Sequence, residues 1–433
     1  MDAAAPKAQT CRMRTGRFLL ATIDGGGTIP PEVGLARRLV ERGHQVLVLA
    51  DPTVEKEALA AGCTFTPWRT APHFRTIEEQ TALMWEVERR SGPRQFVLAR
   101  DQIICGPAGR FADDVVTTVR EHGVDVVLAE GAVAGILTGA EATGLPTAAL
   151  MADIYLRPTP GLPQVGTGWS PARGPIGRLR DALAAMALHR LWATGLPTLN
   201  AARAAHGLSP VSDVYEQLDH CARVLVMTSP SFDFPVRALP PNVRYVGPQL
   251  DDPNWAGCDH WRPAGDDPLV LVAMSSTFQS QIDPLLRVAD GLGQLPVRAL
   301  LTTGPAVSPE EVQAPSNVRV LRAAPHQEVL REASAVVTHA GHGSALKALA
   351  AGVPLVCMPL GRDQKDNTVR VLRLGAGVRV SKRERPAGIA AAVHRVLDQP
   401  AFARDAQAFA ATLADEAARN PDATDEAEAL LGA

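Results

Sequence analysis

The sequence predicts an α/β protein made of two consecutive doubly wound parallel-sheet domains. Apolar runs of strand length recur along the chain. Each is followed by a glycine or polar turn and then by apolar residues at helical spacing, the alternation a parallel sheet with crossover helices requires. The alternation lapses between residues 248 and 268, where Pro, Gly, Asp, Asn and Trp occur without periodicity, and it restarts cleanly afterwards. A length of 433 residues suits two or three domains of about 150 residues each.

Residues 1–16 carry scattered basic side chains and read as a flexible N-terminus. Phe18 to Ile23 is the first strand, Asp24-Gly25-Gly26-Gly27-Thr28 a turn, and Val33, Ala36, Leu39 and Val40 the apolar stripe of a helix that Gly43 stops. Gln45 to Ala50 completes a βαβ unit. Val124 to Ala129 is a further strand ending at Glu130-Gly131, Ile136 to Thr143 a helix, and Leu145 to Leu150 another strand. From 154 to 208 the alternation gives way to a Pro/Gly-rich loop and an Ala/Leu/Arg helix. This insertion is open to two readings, a binding wall that includes Trp169 and Trp192 or ordinary packing of a helical excursion. Strands at Val224 to Thr228 and Arg244 to Gly247 close a first domain over 17–247, with 248–268 as linker.

The second domain, 269–400, has strands at Leu269 to Met274, Val297 to Thr302, Val318 to Leu321, Ala335 to His339 and Pro354 to Met358, with a helix from about Pro284 to Leu292. Residues 401–433 form an Ala-rich acidic helical tail. Its acids read first as a solvated helix face, and packing across the domain gap is the other reading.

Composition narrows the function. Apolar residues at 46% and charged residues at 21% describe an ordinary globular chain, and a net charge of −3 offers no basic field for nucleic acid or anionic membranes. The six cysteines have no paired spacing and read as reduced thiols of a cytoplasmic protein. The apolar stretch Ala348 to Leu360 is broken by Gly352, Pro354 and Pro359, and no run reaches the roughly 18 residues of a membrane span. Phe18 to Ile23 runs straight into Asp24 and is a strand, not a signal peptide.

Two glycine turns could hold ligands. The first, followed by a strand ending at Asp51, invites a dinucleotide reading, but Pro30 stands where the third glycine of that fingerprint belongs. The second is His339-Ala340-Gly341-His342-Gly343-Ser344, between a buried strand and a helix closed by Gly352. Gly341 and Gly343 let backbone N–H groups approach a ligand, Ser344 adds a hydroxyl, and a helix N-terminus carries partial positive charge. A phosphate-sized anion fits there, with His339 as a further donor; an ordinary strand-to-helix turn with a capping serine is the alternative.

Pro325-His326-Gln327, the run from His339 to Ser344, Ala350-Ala351-Gly352-Val353-Pro354 and Gly361-Arg362-Asp363-Gln364 together resemble the donor-binding signature of GT-B glycosyltransferases. The resemblance is to the superfamily of macrolide and other antibiotic glycosyltransferases and UDP-glucuronosyltransferases, and it is densest from Ala323 to Gly377. Pro30-Pro31, Leu35 to Leu39, Arg42-Gly43-His44 and Tyr245-Val246-Gly247-Pro248 extend it through the first domain. It implies two Rossmann-like domains facing across a cleft, the first binding a small hydrophobic natural-product acceptor and the second a nucleoside diphosphate sugar, with dTDP or UDP as the nucleotide. It places Ala323 to His326 beside the base, Ser275, Ser276, Thr277, His339, Gly341, Gly343 and Ser344 at the diphosphate, and Asp363 and Gln364 at the sugar hydroxyls. Asp363 could instead be a simple turn residue. The implied reaction is an inverting sugar transfer. No D-x-D triplet occurs, so no metal cofactor is expected.

Attack by an acceptor hydroxyl needs a general base. The family often supplies a histidine in the first-domain loop, and here Thr28 stands in its place. Asp24 and Glu130, both at strand ends facing the expected cleft, are the natural substitutes. An Asx turn for Asp24 and a helix-start cap for Glu130 are the structural alternatives. His73, read as a loop residue, is a further candidate for the acceptor side. A nucleotide-sugar epimerase of the same fold and a catalytically inactive helper protein are the competing expectations.

Overall fold

The computed structural model describes residues 15–90, 93–252, 256–257 and 261–432. The expected N-terminal segment falls almost entirely outside them, as do Cys11 and Cys258. The other four cysteines are buried and free.

Seven strands form the first sheet: β1 (Arg17–Ala21), β2 (Gln45–Ala50), β3 (Thr64–Pro67), β4 (Val126–Glu130), β5 (Thr147–Met151), β6 (Arg223–Val226) and β7 (Val243–Tyr245). Their order is β3-β2-β1-β4-β5-β6-β7, parallel throughout. The second sheet has β8 (Leu269–Ala273), β9 (Arg298–Thr302), β10 (Val318–Leu321), β11 (Ala333–Thr338), β12 (Leu355–Cys357) and β13 (Gly377–Arg379) in the order β10-β9-β8-β11-β12-β13, again all parallel. Both strand orders reverse direction once, between β1 and β4 and between β8 and β11. At such a point the loops leaving the strand ends diverge and open a crevice for ligand.

Short β3 and β13 and the whole span between β3 and β4 escape the sequence pattern. That span holds helices Ile77–Arg89, Pro93–Ala99 and Ala108–His122. The helix Ile29–Glu41 begins with Pro30 and Pro31 in its first turn, where no N–H partner is needed, and Gly43 leaves it at φ +91°.

The insertion divides. Trp192 is core, packed edge-to-face on Phe96 and Tyr215 at centroid distances of 4.6 and 5.9 Å. The segment before it crosses to the second domain. Ile154 lies in that domain's core, and the N–H groups of Gly166 and Gly168 donate to Asp366 at 2.6 and 3.0 Å.

The tail departs from the first reading of its charges. Helix Pro400–Arg419 packs on the second domain through Ala406, Phe409 and Leu413, while Ala423, Ala427 and Leu430 enter the core of the first. Arg42 pairs with Asp425 and Glu428, Arg223 with Glu426, and His44 Nε2 meets Glu428 at 2.9 Å. The acids are distributed to fit cations that lie hundreds of residues earlier in the chain.

A second junction is buried. Asp233 and Arg370 form an ion pair at 2.6 Å with side chains 2% and 5% exposed. The Arg370 guanidinium lies 4.1 Å from the Phe234 ring centroid, and Arg373 donates to the carbonyls of Ser231, Phe232 and Asp233. Removing one partner leaves an uncompensated buried charge. Asp233→Ala is therefore expected to destabilise the chain by about 3–5 kcal/mol, read as a lower midpoint in urea unfolding followed by tryptophan fluorescence.

Candidate active site

The loop after β1 is tied down residue by residue. Asp24 Oδ1 accepts from the Gly26 N–H at 3.0 Å and Oδ2 from the Thr53 hydroxyl at 2.6 Å. The Asp24 N–H donates to Asp51, and the Asp24 carbonyl accepts from Gln80 of helix Ile77–Arg89 at 2.7 Å. Asp51, 1% exposed, also accepts from the Phe74 N–H, and burial pushes its carboxyl up to about 6. Both aspartates are thus engaged in shaping the turn. Gly26 sits at φ +78°, and a Cβ there would fall 2.3 Å from Thr277 Cγ2, so the turn of the first domain touches the loop after β8 of the second.

That second loop is an internal polar network. Ser275 Oγ accepts from the Gln279 amide at 2.6 Å and lies 3.2 Å from Thr277 Oγ1. Gln364 donates to Gln279 Oε1 at 2.8 Å, while its own Oε1 accepts from the N–H groups of Leu360 and Gly361. Gln364 is consequently buried, aligning two loops. Beyond β11, Asn367 donates both to the Ala340 carbonyl and to Asp363 Oδ2, tying Asp363 to the glycine turn.

The helix His342–Ala350 starts at Gly341, so its first amides have no carbonyl one turn earlier to bond. A Cβ on Gly341 would strike His339 Nε2 at 2.4 Å, whereas one on Gly343 would meet open space. Burial holds His339 down at about 4 and His326 likewise, so both imidazoles are neutral at physiological pH. His326 Nε2 lies 3.0 Å from Thr302 Oγ1. Among the described residues, the non-glycine positions with positive φ are Ser280, Ala340 and Arg362, at 52°, 64° and 51°. They fall in the loops after β8, β11 and β12, on one rim of the crevice. Backbone strain of this kind costs about 1–3 kcal/mol per residue and concentrates where a ligand is clamped.

The opposite wall is acidic. Glu130, at the end of β4, uses Oε1 to accept from the Ala132 N–H at 3.0 Å, while its buried Oε2 has no hydrogen-bond partner. Glu32, fully buried in the first turn of helix Ile29–Glu41, has both oxygens unpartnered. Desolvation first, then the Glu130 carboxylate, raises Glu32 well above the ordinary range. Asp153, just past β5, is raised in the same way by desolvation and then by Asp363 and Glu130.

Residues 142–420 match the family described as UDP-glucoronosyl and UDP-glucosyl transferase. The chain belongs to this family and is a glycosyltransferase. It is 30% identical over 430 residues to 4'-demethylrebeccamycin synthase of Lentzea aerocolonigenes, covering 96% of this chain and 99% of that one. It is 25% identical to UDP-glucosyltransferase avaP of Aspergillus versicolor, over 84% and 86% of the two chains. Among solved structures, the kitacinnamycin glycotransferase superposes with a TM-score of 0.72 at 22% identity, covering 96% and 98%. The calicheamicin glycosyltransferase CalG4 gives 0.71 at 22%, covering 97% and 99%. Their fold is GT-B, as the two parallel sheets require.

Ser275, Ser276 and Thr277 lie on the loop after β8, and His339, Gly341, Gly343 and Ser344 on the turn and first helical residues after β11. Asp24 follows β1, Thr28 caps helix Ile29–Glu41, and Glu130 ends β4. His73 is held in its own loop by a 2.8 Å contact from Nδ1 to the Ala71 carbonyl. Trp169 is covered by the Arg180 guanidinium, 4.4 Å from the ring centroid, on the loop that docks against Asp366. A cavity of about 980 Å³ opens between helix Ile77–Arg89 and the second-domain residues Phe278, Pro305 and Ala306. Its wall includes Ile77 and Trp85, 40% and 47% exposed. Glu32, Asp153, Asn367 and this cavity wall are the parts the sequence reading missed. Glu32 did carry a signal, since it shares the apolar helical stripe with Ile29, Val33 and Ala36.

Gly26→Ala forces a methyl into Thr277 and a side chain into positive φ. We expect sugar-transfer kcat/KM to fall by about 5- to 150-fold, from roughly 1–3 kcal/mol of strain. Adding Thr277→Ser, which removes the struck methyl, should recover part of that loss in the same steady-state assay.

Proposed function

We propose that this glycosyltransferase carries out an inverting transfer from a dTDP- or UDP-sugar to a small, largely apolar acceptor, with Glu130 as general base. The observation that carries the reading is the buried Oε2 of Glu130, which accepts no hydrogen bond of good geometry, at the end of β4 beside Asp153, whose carboxyl senses both Glu130 and Asp363 of the second domain. An inverting displacement needs this division. A base takes the acceptor proton on one side, the acceptor atom bonds to the anomeric carbon, and the bond from that carbon to the phosphate oxygen breaks on the other side. The departing nucleoside diphosphate then meets helix amides, the Ser344 hydroxyl and the neutral His339 as preorganised donors.

Asp24 is less suited to the base role because both its oxygens already accept hydrogen bonds. In this reading the charge that develops on the diphosphate is met without a metal ion. The cavity beside helix Ile77–Arg89, with Trp85, Ile77, Phe278 and Pro305 in its wall beside Glu78, Glu86 and Arg90, supports an acceptor with an apolar body and a polar edge. The relative named for rebeccamycin synthesis and a neighbour, VinC, solved with dTDP are consistent with a natural-product acceptor and a thymidine nucleotide. A room-sized acceptor cavity favours transfer over epimerisation of the donor alone.

A screen of dTDP- and UDP-sugars against aromatic and macrolide aglycones, read by mass spectrometry, should show acceptor plus one sugar; isomerised donor without acceptor would overturn transfer. Glu130→Gln should lower kcat by about 10²–10⁴-fold, with nucleoside diphosphate affinity by calorimetry unchanged. His339→Ala should weaken that affinity by about 10- to 100-fold, the loss of one hydrogen bond to a charged group. Turnover should survive exhaustive EDTA treatment.

A further inference from the structure

We infer that Glu32 is a positioning residue for Glu130: the two carboxyl groups share one proton in the resting enzyme, with Glu32 as donor and Glu130 as the group that receives the acceptor's proton. The inference rests on the assignment of Glu130 as base. Glu32 is fully buried against the Glu130 carboxyl and beside the Thr22 hydroxyl, and no donor of good hydrogen-bond geometry reaches either of its oxygens or the Oε2 of Glu130. Two ionised carboxylates cannot face one another in a dry pocket, and one proton between them converts the repulsion into a hydrogen bond.

Burial, Glu130 and Asp153 add to the demand for a proton on Glu32, and the Thr22 hydroxyl opposes them. Thr22, at the end of β1, presents a hydroxyl to Glu32, Glu130 comes from β4, and Asp153 from the segment after β5. Asp363 and Arg362, after β12, face Asp153 in turn, and the arginine offsets part of the negative charge. The sign follows from the direction of the Glu32 shift. A carboxyl raised well above its ordinary range keeps its proton to higher pH than a solvated carboxylate does.

Proton balance over one turnover is simple. The resting pair holds one proton and one negative charge. The acceptor's O–H or N–H proton moves to Glu130 as the acceptor atom bonds to the anomeric carbon and the diphosphate leaves with the bonding electrons. The pair, then neutral, returns the extra proton to water. If the resting proton is lost at high pH, Glu130 loses the donor that orients it, and the rate falls.

The test uses full-length protein labelled with [δ-¹³C]glutamate and titrated by NMR without ligand, in the native protein, Glu32→Gln and Glu130→Gln. A protonated carboxyl resonance at neutral pH is expected, absent in Glu32→Gln and shifted in Glu130→Gln, with coupled titration in the native protein. Ionised, independently titrating groups at neutral pH would overturn the shared proton.

Kinetics with the acceptor found in the donor–acceptor screen separate this inference from the base assignment. Glu32→Gln, which keeps an N–H donor, should lose less activity than Glu32→Leu and should lack the alkaline fall in kcat/KM. Equal loss in both variants, or an unchanged alkaline limb in Glu32→Gln, would sink the positioning role. Glu130→Gln at native rate would sink the base assignment instead. UDP and dTDP binding by calorimetry checks that each variant is folded.

Discussion

The relation between the two sheets depends on the buried pair of Asp233 and Arg370. Taking two charges out of water costs more than their attraction returns unless every lone pair and proton finds a partner. Here the partners are present. Asp233 Oδ1 accepts from Arg370 and from the Phe234 N–H, its Oδ2 from the Tyr245 hydroxyl at 2.9 Å and the Tyr155 N–H at 3.1 Å, and Arg370 Nη1 reaches the Asp366 carbonyl. Four segments meet at one carboxylate, drawn from β7, the chain after β5, the loop before Phe234 and helix Gln364–Arg373. The N-terminal end of that same helix carries Asp363 and Gln364 into the crevice, and its Asp366 holds the loop at Gly166 and Gly168. Such a pair adds little net stability over apolar residues of the same size, but it admits one arrangement of the domains, and the crevice inherits it.

Across that crevice the electrostatics are divided. The second domain presents dipoles: helix amides, hydroxyls, and two imidazoles that burial keeps neutral. The first domain presents Glu32 and Glu130, with Asp153 beside them. In the proposed reading a diphosphate would be held by the donors of the second domain, while the one negative charge left on the Glu32–Glu130 pair keeps it from the opposite wall. The proposed anion site is thus compatible with a chain of net charge −3. Preorganised dipoles do not require a basic surface.

What could be read from the sequence was what local chemistry dictates. Gln45–Ala50 and Val318–Leu321 are strands with the bounds their apolar runs suggest, and the glycine turn after β11 leads into a helix as its spacing requires. Gly377–Arg379 was lost because three residues, one of them glycine and one exposed arginine, make no run. Helix Ile77–Arg89 was lost because its cavity side leaves Ile77 and Trp85 exposed, which blurs the stripe. The tail's acids looked solvated because their partners, Arg42 and Arg223, are joined to them only by folding. Asp24 showed its turn-forming chemistry plainly, but only the structure shows that Thr53 takes its second oxygen. Glu32 was hidden by a general habit of helices, since a first-turn glutamate is usually a surface complement to the helix dipole.

The same residue bears on the threonine at position 28, where the resembling enzymes often have a histidine. An imidazole is near neutrality by its own chemistry, while a carboxylate in water, with a pKa of about 4, is a weak base toward a hydroxyl or amine proton. A carboxylate can approach the histidine's usefulness only if its hydration is stripped away, so base strength and dryness become one property. The loops that close the pocket then belong to the chemistry as much as the carboxylate does. Gly26 against Thr277 brings the two domains into contact at the rim, and Asp24, Asp51 and Thr53 hold that turn in place. A histidine site could tolerate water at its edge. The carboxyl pair proposed above could not, because water would hydrate the anion and let both carboxyls ionise.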